Sequence, residues 1–120
     1  MNFTDLNIWQ KSHQLAISIY KITKTFPKSE IFGITSQLQR AATSISANIA
    51  EGFGRKGNKE FVQFLHLSKG SLYETQNFLI LCQDIGYIEK IKVKTLLDEY
   101  EILAKMLNSF ISKVKYNNDQ

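Results

Sequence analysis

Three stretches of this chain place apolar or small residues at alternating spacings of four and three. That spacing leaves room for little besides long, packed helices. In the middle of the chain the run is Phe61, Leu65, Ser68, Leu72, Thr75, Leu79 and Cys82. Towards the C-terminus it is Val93, Leu97, Tyr100, Ala104, Leu107, Ile111 and Val114, and near the N-terminus Ile8, Ser12, Leu15, Ile19, Ile22 and Phe26. With 3.6 residues per turn each set falls on one stripe, the a/d seam of a bundle. Pro27 is the only proline, the glycines cluster at a few places, and no segment reads as a strand, a repeat or low complexity.

The stretch 34–58 supplies the remaining helix and the least ordinary pattern. On a helical wheel, Leu38, Ala42, Ile45, Ile49 and Phe53 fall in a sector of about 80°. Gln37, Arg40, Ser44, Asn48, Glu51 and Arg55 fall in a second sector of similar width. Ala41, Ala47, Ala50 and Gly52 fill the remainder. A surface helix usually sets Lys and Glu opposite its apolar face; this one sets Ser, Asn, Ala and one Arg there, which predicts burial on more than one side. The third helix carries a second stripe of Phe64, Leu67, Ser71, Glu74, Phe78, Leu81 and Ile85. A carboxylate at Glu74 needs a cation if it is buried, and Arg40 is the first candidate. Together Gln37, Arg40, Ser44, Asn48, Glu51, Ser71 and Glu74 form a candidate structural polar network. Gly70-Ser71 removes bulk at that level and predicts the close approach of another helix.

Boundaries follow from local chemistry. Asp5 is a candidate cap for the first helix, and Pro27 disfavours helix at Phe26. Glycines at 52, 54 and 57 close the second helix, with Asn58 as the cap of the third. Gly86-Tyr87 makes the last break. The expected helices are about 5–26, 34–53, 59–85 and 89–116, with a polar tail, Asn117 to Gln120, that frays. Short connections make neighbours antiparallel. The expected fold is all-α, a single up-down-up-down antiparallel four-helix bundle domain over residues 1–120.

Size and composition agree with this. A chain of 120 residues buries roughly two-thirds of its unfolded surface. The formal charge of +4 permits an anionic partner without demanding one. The lone Cys82 cannot form an intramolecular disulfide, and no signal-like start or apolar run of ~20 residues is present. These features predict a cytoplasmic protein that does not cross a membrane.

The residues also carry a family resemblance. Trp9-Gln10-Lys11, Phe26-Pro27 and Phe32-Gly33-Ile34-Thr35-Ser36-Gln37-Leu38-Gln39-Arg40-Ala41-Ala42 are followed by Ser44-Ile45, Asn48-Ile49-Ala50-Glu51-Gly52, Lys59-Glu60-Phe61 and Gly70-Ser71-Leu72-Tyr73-Glu74. The set resembles the four helix bundle proteins encoded in intervening sequences of bacterial 23S ribosomal RNA genes, over nearly the whole chain. Ser46 departs from the proline common in that family, and Gln39 from its common basic residue. The resemblance implies a homo-oligomer, a pentamer. It also extends to the accessory proteins of diversity-generating retroelements, basic pentamers that engage nucleic acid and a reverse transcriptase. It implies no catalysis and no cofactor.

The residues supply three function classes. The first is a nucleic-acid-associated assembly using Arg55, Lys56 and Lys59 before the third helix and Lys90, Lys92 and Lys94 before the fourth. A ring multiplies each such patch by its subunit count. The partner would be RNA or DNA, bound through phosphates, since no base-reading module is recognisable. The second class is a protein-binding scaffold. The third, an enzyme, is disfavoured: there is no nucleophile–base pair and no metal-ligand set. His13 reads as a partly buried helix-face side chain. The Gly-rich loop at 54–57 lacks the Walker pattern and a preceding strand, so it reads as a helix–helix turn.

Overall fold

A computed structural model describes residues 1–118, excluding the side chain of Asn118. Four helices, α1 (Asn7–Thr23), α2 (Ile34–Phe53), α3 (Asn58–Asp84) and α4 (Lys90–Asn118), form an up-down-up-down bundle of 50 × 24 × 20 Å. No strand occurs among the described residues. Short 3-10 turns at Phe3–Asp5 and Lys28–Glu30 precede α1 and α2.

The a/d stripes form the core. Leu65, Ser68, Leu72, Thr75, Leu79 and Cys82 of α3 are all buried, as are Ile8, Ser12, Leu15 and Ile19 of α1. On α4 the buried set is Val93, Tyr100, Leu103, Ala104, Leu107, Ile111 and Val114. Phe61, Ile22 and Leu97, at the margins of their stripes, pack against that core while half-buried. Burial pushes the Tyr100 phenol pKa up, and its Oη has no hydrogen-bond partner.

Several ends differ from the sequence reading. Asp5 does not cap α1. It completes a capping box with Asn2 around the first 3-10 turn, accepting a hydrogen bond from the Asn2 amide at 2.9 Å. Helix α1 stops at Thr23, three residues short, where the Thr23 hydroxyl donates back to Tyr20 O and accepts from Gln39 Nε2 of α2 at 3.0 Å. Helix α4 continues to Asn118; Asp119 and Gln120 lie outside the described residues. Helix α2 runs unbroken through Ser46.

Helices α2 and α3 meet at backbone distance. Ser68 Oγ donates to Ile45 O at 2.9 Å, and Ser71 Oγ to Ser44 Oγ at 3.1 Å. Gly52 is buried there, and a Cβ on it would lie 2.6 Å from Phe64 Cβ. The glycine of the Asn-Ile-Ala-Glu-Gly motif is therefore required by packing. Gly70 is not the point of close approach: a Cβ there would meet nothing within 4 Å. Gly57 ends the α2–α3 turn at φ +83°, ψ 154°, a region nearly closed to other residues. At the opposite end, Tyr87 Oη donates to Glu30 Oε2 at 2.7 Å, tying the α3–α4 connection to the α1–α2 connection.

Candidate functional site

The second stripe of α3 is an incompletely covered apolar surface. Leu67, Leu81 and Ile85 are 56%, 43% and 47% exposed, with Phe64 and Phe78 half-buried beside them. The stripe runs along the outer edge of the α2–α3 seam, next to the polar row of α2. Its periodicity put it on a second side of α3, which one chain covers only in part, at Phe64, Ser71 and Phe78.

The polar residues group at three levels of that seam. Gln37 and Arg40 of α2 and Glu74 and Phe78 of α3 line a shallow depression of about 250 Å³. Midway, Asn48 Nδ2 donates to Ser44 O at 2.8 Å, and Ser44 is joined to Ser71. Towards the α2–α3 loop, Glu51 accepts from Arg55 at 2.7 Å, one helical turn on. Arg40, Gln37, Glu51 and Glu74 are exposed, and Arg40 makes no ion pair with Glu74 or Glu51. The expectation of burial on two sides of α2 therefore fails within the single chain. A wheel locates a stripe on a side but cannot say whether that side is covered.

The candidate phosphate-binding cations fall into two groups. Arg55, Lys56 and Lys59 sit where α2 passes into α3, and Lys90, Lys92 and Lys94 where α4 begins. Helix α3 lies between them, 27 residues long and so about 40 Å. One bundle thus presents two separate basic ends. Arg55 is committed to Glu51 and stacks 4.9 Å over the Phe64 ring, and Lys94 pairs with Asp98 at 3.2 Å. Lys56, Lys59, Lys90 and Lys92 are exposed without an ion-pair partner among the described residues.

His13 is exposed rather than partly buried, and stacks on Trp9 at 4.6 Å with 12° between the rings. Burial pushes the Cys82 thiol pKa up to about 11, with the Glu30 carboxylate adding to the rise, so it is a poor nucleophile near neutrality. The Tyr87 phenol pKa is raised by its hydrogen bond to Glu30. Among the described residues, no group of three or more His, Cys, Asp or Glu could hold a metal ion, and no helix is long and apolar enough to cross a membrane.

Two features escaped sequence reasoning. Phe32, between Ile31 and Gly33 on the α1–α2 connection, is 96% exposed; it belongs to no helical period, so no wheel singles it out. The second is a groove between α1 and α2, visible only once two helices are placed side by side.

Comparison with known proteins agrees with the fold. The family model described as 23S rRNA-intervening sequence protein matches residues 4–109. A crystal structure of a protein with unknown function from the S23 ribosomal protein family of Bacteroides thetaiotaomicron VPI-5482 superposes with a TM-score of 0.80 at 26% identity, covering 87% of this chain and 97% of that one. No curated protein matches.

Proposed function

This chain belongs to the 23S rRNA-intervening sequence protein family, and we propose that it works as a non-enzymatic homo-oligomer associated with nucleic acid through its basic ends. The observation that carries the reading is the partly uncovered stripe of α3 beside the polar row of α2. An apolar row of this length, rimmed by polar groups, is characteristic of a protein-binding surface. A second copy is the simplest occupant. In such an assembly Arg40 and Glu74 would be enclosed together, and a pentamer would repeat Lys56, Lys59, Lys90 and Lys92 in two basic rims. Phosphate binding by repeated patches is multivalent and strongly salt-dependent. The alternative, a scaffold that meets only protein and acts beside a nucleic-acid enzyme such as a reverse transcriptase, uses the same α3 stripe but leaves the lysines idle.

Light scattering with and without Leu67→Glu plus Leu81→Glu tests the assembly. The expected result is a multiple of 13.8 kDa for the native chain, near five subunits, and a monomer for the variant. A native mass of one subunit overturns it. Filter binding of structured RNA and duplex DNA at two salt concentrations tests the second half, comparing the native chain with Lys56→Glu plus Lys59→Glu. Binding that weakens steeply with salt and drops in the variant supports the basic ends; absence of binding at low salt favours the scaffold.

A further inference from the structure

The bundle's charge is distributed unevenly. Between residues 7 and 53, covering α1, α2 and their connection, the chain carries Lys11, Lys21, Lys24, Lys28 and Arg40 against the two acids Glu30 and Glu51. That is a formal +3 of the protein's net +4. Glu30 is occupied by the Tyr87 phenol, and Lys11 by Glu99 of α4. Lys21, Lys24 and Lys28 are exposed and have no ion-pair partner among the described residues.

These lysines border a groove between α1 and α2. One part, about 470 Å³, is lined by His13, Ile17, Tyr20 and Lys21 of α1 and by Lys24 just past its end, with Thr43 and Ser46 of α2. A second part of about 280 Å³ continues from Tyr20 and Lys24 past Phe26, Lys28 and Thr35. No carboxylate lines either part. The outer face of α4 is different, interleaving Lys92, Lys94 and Lys105 with Asp98 and Glu101, as a solvated face does. Within the groove, His13, Ile17, Tyr20 and Lys24 fall on one row of α1 and its C-cap, spanning about 16 Å. Tyr20 is 48% exposed, too open for a core residue and free to receive a flat ring.

We propose that the α1–α2 groove binds single-stranded nucleic acid, with Lys21, Lys24 and Lys28 holding successive phosphates and Tyr20 stacking on a base. A cationic track with an exposed aromatic ring on its floor is the arrangement that binds single strands without reading sequence. A duplex, whose bases are already stacked and paired, offers Tyr20 no free face. Base stacking and phosphate contacts do not depend on the 2′-hydroxyl, so RNA and DNA strands of equal length should bind alike. This surface is distinct from the α2–α3 face and from the two basic ends, and does not depend on either.

The experiment is fluorescence anisotropy of labelled oligouridylate and oligothymidylate of about ten nucleotides, beside a duplex of the same length, at about 50 and 200 mM salt. The full chain is compared with Tyr20→Ala, Tyr20→Phe, Lys24→Glu plus Lys28→Glu, and Lys56→Glu plus Lys59→Glu. All these positions are exposed, and circular dichroism checks that each variant stays helical. Tyr20→Ala should weaken strand binding about tenfold, within the range for one lost base stack, while Tyr20→Phe stays near the native value. Lys24→Glu plus Lys28→Glu should weaken it about tenfold or more and flatten the salt dependence. The loop variant should leave short-strand binding in place whatever it does to structured RNA. Native-like strand binding by the Tyr20→Ala or Lys24/Lys28 variants, or a duplex that loses as much affinity as the strand in Tyr20→Ala, overturns the proposal.

Discussion

The α2–α3 seam and the α1–α4 seam are built from the same kind of amphipathic helix, yet they close to different degrees. At the first, Gly52, Ser68, Ser44 and Ser71 let two backbones approach until hydroxyls bridge them directly. At the second, larger side chains hold the helices apart. Two depressions remain, one of about 570 Å³ walled by Leu6, Ile8, Met106 and Phe110, the other of about 280 Å³ walled by Ile22, Ile91 and Leu96. The ion pair between Lys11 and Glu99 spans this looser seam. The difference teaches that the size of the side chains at the crossing, more than their hydrophobicity, sets helix separation. A close seam excludes even a methyl group; an open one has room for several.

The largest test of that contrast is Gly52→Ala. Alanine favours an isolated helix by about 1 kcal/mol over glycine. Here its Cβ would collide with Phe64 Cβ and Phe61 Cδ1, at 2.6 and 2.9 Å. A net loss of about 1–3 kcal/mol is expected from overpacking, read by urea denaturation. A neutral or stabilised variant would mean that the seam can give.

A smaller effect tests what close packing does to buried polar groups. The Tyr100 phenol pKa is raised by burial and that of Cys82 is held up to about 11. Both groups lose a proton more easily in the unfolded chain, so above the unfolded values the unfolded state binds fewer protons and stability falls as pH rises. The decline should begin near the usual thiol value of 9.0 and deepen above the usual phenol value of 10.0. Tyr100→Phe removes a hydroxyl that has no partner. It should hold or raise stability by about 1 kcal/mol at neutral pH and make the alkaline decline shallower. Denaturant melts at neutral pH and above about pH 10 give both readings.

The smallest expected effect lies at the open seam. Ser109 lines the larger depression, so Ser109→Leu should change stability by less than about 0.5 kcal/mol. A loss comparable with that of Gly52→Ala would show that the α1–α4 seam is as intolerant as the other and would break the contrast.

The sequence alone determined the four helices, their order and nearly all of the core. Burial of one face imposes a 3.6-residue period that survives in the spelling of the chain, so Leu65, Ser68, Leu72, Thr75, Leu79 and Cys82 could be read as one stripe. The breaks near Pro27 and at Gly57 were legible from backbone chemistry, although α1 ends at Thr23, before the Phe26 that Pro27 suggested. Only the tertiary structure decided which small residue marks a close approach, because Gly52 and Gly70 look alike until a neighbouring helix is placed against one and solvent against the other. It also decided that Arg40 and Glu74 stand exposed, and that the lysines at 56 and 59 lie a bundle's length from those at 90 and 92. The α1–α2 groove belongs there too: Tyr20 and Lys21 share a helix, but Thr35, Thr43 and Ser46 join them across a gap that no periodicity records. Periodicity reports a residue's angle about its own axis, whereas a site is made by the distance between axes, which packing alone sets.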